Sequence, residues 1–237
     1  MRPRLKWFLT AILAAVVIGP AFGQLIPGMM PLLENGLGAP ALLLNKGVQK
    51  EIEMTDDQRD KFRKIVREVH DKYQPDLRKA QNDRDLKKLG KLTLDSTMES
   101  RDKVNKAIPD VLSEKQIKRL HQIELQVNVL PSLNKTEVQK ELKFTDKQKT
   151  AVKDISDGLK KDIAEAAKAA LADVPQRPLE KLRKAAETAQ TIKKLTEAAS
   201  DKALNTLNSE QKSTWKEMTG KKFDFKFDIL NRPGARP

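Results

Sequence analysis

The chain has no cysteine, which removes disulfide bridges, thiol nucleophiles and thiolate metal ligands together. Histidine is nearly absent as well. His70 and His121 are the only imidazoles, and neither sits in an HExxH or comparable ligand pattern. Glycine forms no phosphate-cradling loop and no nucleophile elbow. The carboxylates are mostly flanked by Lys or Arg, an arrangement that solvated ion pairs explain better than acid–base chemistry. These absences argue against an enzyme, and against any cofactor or metal. His70, next to Val69 on an apolar stripe, is expected to be a partly buried structural residue, and His121 to lie on a helix. Aromatic residues make up only 4% of the chain and do not interleave with basic ones, so nucleic acid is not an expected partner despite the basic isoelectric point.

Long apolar runs are missing too. The longest, residues 7–19, is shorter than the roughly 20 residues of a membrane span. It follows the basic start MRPRLK and precedes small residues ending at Gly23, the layout of a secretory signal peptide over residues 1–23. The mature chain is expected to be exported to the periplasm or cell envelope, touching membrane only if that segment stays uncleaved. It then carries 43 basic against 33 acidic residues. Residues 44–130 hold 20 basic and 16 acidic, and residues 131–219 hold 18 and 14, an excess shared evenly and not gathered in one patch.

What the chain does have is internal similarity. VQKEIEMTDDQ (48–58) returns as VQKELKFTDKQ (138–148), with seven of eleven positions identical. Such self-similarity marks a duplication. Apolar residues then recur at helical spacing: Phe62, Ile65, Val66, Val69, Tyr73 and Leu77 in the first copy, Val152, Ile155, Leu159 and Ile163 in the second. Returning stripes follow, through Leu86, Leu89, Leu94, Met98, Val104 and Ile108, and through Leu179, Leu182, Ala186, Ala189, Ile192 and Ala199. The pattern predicts an all-α fold of two tandem helical hairpins, repeat 1 over residues 44–130 and repeat 2 over 131–219, with short capping helices and an extended C-terminal tail. Turns are expected near Gln81-Asn82-Asp83 and at residues 173–178, and Pro75 should kink or break its helix. Residues 24–43, apolar but broken by Gly and Pro, read as an irregular extension.

A smaller motif punctuates both copies: MTDDQ, LSEKQ, FTDKQ and LNSEQ. Each places an apolar residue before a helix cap, with Gln three positions on. The pairs are Thr55 and Gln58, Ser113 and Gln116, Thr145 and Gln148, and Asn208 and Gln211. The cap's side chain accepts from a first-turn amide, the Gln reaches back to the cap's own amide, and the apolar residue packs as a staple.

These motifs resemble the LTxxQ signature of the periplasmic Spy/CpxP-like family, over roughly residues 44–219 as two tandem units. Met54 and Phe144 stand where leucine is usual, and Ser113 and Asn208 where threonine is usual. The resemblance implies curved α-helical hairpins and an ATP-independent chaperone or stress-response modulator. On this reading unfolded or envelope proteins are the partners, held on a mixed apolar and basic surface, and the chain is a monomer or homodimer. The alternative is a non-catalytic structural or adaptor module with one defined partner.

The tail repeats Phe223, Phe225 and Phe227 at period two, suiting an extended segment with one apolar face. Two readings stand: it packs in a groove of its own helices, or it docks on a partner. The terminal NRPGARP reads as disordered.

Overall fold

The computed structural model describes residues 36–172 and 177–225. Among these residues the chain is all-α, with ten helices and no strand. They are α1 (Ala39–Leu43), α2 (Lys46–Glu51), α3 (Asp56–Asn82), α4 (Leu86–Val111), α5 (Glu114–Val127), α6 (Val129–Leu133), α7 (Thr136–Glu141), α8 (Asp146–Ala172), α9 (Pro178–Asn205) and α10 (Ser209–Thr219). None of them is long and apolar enough to cross a membrane. The long helices pair as two hairpin arms, α3 with α4 and α8 with α9, while α5 and α10 pack on each other.

Two apolar cores sit at the bases of the arms. The first gathers Leu42 and Leu43 of α1, Val48 of α2, Phe62 of α3, Val104 of α4, and Leu120 and Ile123 of α5. The second gathers Leu130 and Leu133 of α6, Val138 of α7, Val152 of α8, Ala203 of α9 and Trp215 of α10. The residue before each motif cap is buried in one of these cores: Met54 and Leu112 in the first, Phe144 and Leu207 in the second. The staple therefore anchors each helix start to a core as well as to its own next turn.

The two similar stretches share particular bonds. Gln49 Nε2 donates to the Leu43 carbonyl at 2.7 Å, and Gln139 Nε2 to the Leu133 carbonyl at 2.9 Å. Glu53 and Lys143 both take positive φ, 54° and 51°, at the turn into the long helix.

Several expectations need correction. Helix α3 continues unbroken through Pro75. Pro75 and Asp71 are both exposed, so the carbonyl deprived of its amide partner faces water. The extension assigned to residues 24–43 is partly core: Leu37, Leu42 and Leu43 are buried, and Ala39–Leu43 is helical. Residues 24–35 lie outside the described residues. Leu125 of α5 belongs to the second core, while Leu120 and Ile123 of the same helix belong to the first. His70 is exposed, because its neighbour Val69 takes the inward position and the next residue turns about 100° away. Leu179 and Ala186 are also exposed, and α9 first joins the second core at Ala199.

Candidate functional site

All four capping motifs form. Thr55 Oγ1 accepts from the Gln58 amide, Ser113 Oγ from Gln116, Thr145 Oγ1 from Gln148 and Asn208 Oδ1 from Gln211. Each Gln side-chain oxygen accepts in return from the cap's own amide, at 2.9–3.1 Å. Thr55→Ala and Thr145→Ala should each lower stability by about 0.5–2 kcal/mol with the helical content intact. Urea denaturation followed by circular dichroism checks this, and neutral outcomes for both would remove the capping role.

The structure adds a second use for each glutamine. Gln58 Nε2 donates to Gln116 Oε1 at 2.9 Å, and Gln116 Nε2 donates back to Gln58 Oε1 at 2.9 Å. Gln148 and Gln211 make the same reciprocal pair at 2.7 and 3.0 Å. The remaining amide protons go to backbone carbonyls: Gln58 to Val111, Gln148 to Thr206, Gln116 to Glu53 and Gln211 to Leu142. Every motif glutamine thus caps its own helix and clasps the other motif of its unit, about sixty residues away. The clasp closes the base of each arm, tying the start of the outgoing helix to the end of the returning one.

The tail takes the first of its two readings over the described residues. Phe225 is 2% exposed, inside the first core, and Phe223 packs against that core, with the two rings edge to face at 6.3 Å. As placed, Phe225 is not open to a docking partner. Phe227 and the terminal NRPGARP lie outside the described residues. Helix α5 holds the strap by its backbone. Arg119 and Gln126 both donate to the Lys221 carbonyl at 2.8 Å, Gln126 also donates to Thr219, and the Phe223 amide donates to Gln126 Oε1. Arg119 is itself fixed by Glu51 at 2.7 Å. Two residues beyond Gln126, Asn128 pins Leu37: its Oδ1 accepts from the Leu37 amide at 2.7 Å and its Nδ2 donates to the Leu37 carbonyl at 2.9 Å. Sequence reasoning missed Arg119, Gln126 and Asn128. Their partners lie some seventy to a hundred residues away and follow no periodicity.

Two carboxylates are shifted strongly. At Glu124, burial raises the pKa, but the contact with His121 and the bond and charge of Lys135 at 3.0 Å outweigh it and bring the group to about 2. Glu99 is held at about 2, chiefly by the bond from Lys72 at 2.7 Å, with help from Tyr73. A depressed carboxylate stabilises the fold fully above its unfolded pKa, and that stabilisation is lost as the folded group protonates. Stability should therefore fall from about pH 4.5 toward about pH 2, and Glu124→Gln should flatten this decline. Chemical denaturation across that range checks it; an unchanged slope in the variant would remove Glu124 from the account.

Comparison with protein-family models, with curated proteins and with solved structures gives no match.

Proposed function

We propose that the chain is an exported, ATP-independent, chaperone-like protein that holds partly unfolded clients on its helical arms. The observation that carries this reading is the thinness of the arms. Among the described residues no third layer covers the paired helices beyond their base, and Tyr73, Leu77, Leu94 and Met98 are half-buried along the first arm, while Leu179 is 81% exposed on the second. Apolar surface interleaved with charge suits weak, exchangeable contact with exposed segments of many sequences. The likeness of the four capping motifs to the Spy/CpxP-like signature supports the same reading, as does the leader-like residue order of 1–23.

The test is light scattering of an aggregating model protein with and without the purified chain. Suppression is expected without ATP, weaker at high salt but not abolished, because apolar contacts survive screening. No suppression at any salt concentration would overturn the proposal.

A further inference from the structure

The basic excess is shared evenly between the two units but not within the first. Residues 78–91, the end of α3, the turn and the start of α4, hold six basic and two acidic residues, while residues 44–77 and 92–130 together balance at fourteen of each. The hairpin gathers that excess at one place, the tip of an arm whose helices run about 40 Å. Of the six cations only Lys91 is paired, with Asp95 at 2.7 Å. Arg78, Lys79, Arg84, Lys87 and Lys88 are exposed and make no ion pair. The tip's acidic residues are Asp83 and Asp85, and Asp85 caps α4 by accepting from the Lys88 amide. The second arm is different where it is described: Arg177 pairs with Glu180 and Arg183 with Glu187 near its turn.

We infer that the tip of the first arm is a docking surface for the anionic headgroups of a phospholipid bilayer. A specific protein partner needs a complementary face of about 800 Å² per side, with fixed anchors. A rod end bearing unpinned side chains does not present one. An anionic bilayer asks only for a cluster of about 4–8 basic residues near its plane, and the five free cations of the tip meet that requirement. Docked by its tip, the arm would stand off the membrane with its base directed away. The inference goes beyond the proposed function and does not depend on it.

Sedimentation with vesicles tests it on the full chain. Binding is expected to vesicles containing phosphatidylglycerol and not to pure phosphatidylcholine, and to decline with salt. The variant R78Q/K79Q/R84Q/K87Q/K88Q should bind at least about 30-fold more weakly. The variant K61Q/K64Q/K118Q/K140Q/K147Q removes the same charge from exposed, unpaired positions elsewhere and should bind within about threefold of the parent. Circular dichroism checks that both variants keep their helices. Equal losses in the two variants would reduce the effect to net charge and overturn the assignment. Binding to neutral vesicles would also overturn it, and so would capture of an acidic polypeptide with no vesicle binding.

Discussion

Phe225→Ala is expected to lower the unfolding free energy by about 3–5 kcal/mol, the range for truncating a buried phenylalanine. The ring is 2% exposed among Leu37, Leu42, Val48 and Ile123, and its loss leaves a cavity in the first core. Gly220→Ala should release the same strap without removing any apolar group. Gly220 caps α10 with φ 61° and ψ −150°, a backbone region essentially closed to other residues. A Cβ there would stand 2.5 Å from the Gln122 side chain. Urea denaturation followed at two wavelengths checks both variants. Trp215 lies in the second core and reports on that unit, while far-ultraviolet circular dichroism reports on all helices. In the parent the two signals should coincide. In the variants the dichroism should begin to fall first, because the first unit has lost its closing residue. Coincident, unshifted transitions in both variants would show that the strap contributes nothing.

Gln211→Glu should be the most damaging single-atom change, lowering stability by about 2–4 kcal/mol near neutral pH. The local capping role tolerates glutamate, which accepts from the cap amide as glutamine does. The clasp does not. Gln211 is buried, and its Nε2 donates to the Leu142 carbonyl at 2.9 Å and to Gln148 Oε1 at 3.0 Å. A carboxylate would turn an acceptor toward two acceptors in a dry site. Its folded pKa would be raised above the ordinary range, so the unfolded chain would ionise first as pH rises. The variant should therefore approach parental stability below about pH 4 and lose it above that. A variant as stable as the parent at pH 7 would mean that the reciprocal amide pair is incidental. Gln58→Glu should act in the same direction but less strongly, since Gln58 is only half-buried.

What was legible in the sequence follows the range of the interactions concerned. Helix starts were readable because a cap and its Gln lie three residues apart and satisfy each other locally. The hairpin stripes were readable through Phe62, Val69, Val152 and Ile163, which recur at helical spacing and are buried. The reading failed where tertiary context decides. His70 lies close enough to the stripe to look inward, but a two-helix arm buries only a narrow line of positions. Leu179 fits the helical period, yet it is exposed, so period alone does not decide burial near the start of α9. Pro75 was expected to kink or break α3; the helix is not broken there, where an exposed carbonyl makes proline tolerable. At the candidate site, half the function of each glutamine was visible. The Nε2 bonds that couple Gln58 to Gln116 span 58 residues, and no local pattern announces them.

The strap also gives the two cores an order in time. The second core draws its buried residues from Leu125 to Trp215, a continuous stretch. The first draws on residues from Leu37 to Ile123 and then waits for Phe225. A chain made from its N-terminus at roughly 5–20 residues per second therefore exposes an unfinished first core for about 5–20 s after Ile123 is joined. The half of the molecule that is synthesised first is the half completed last.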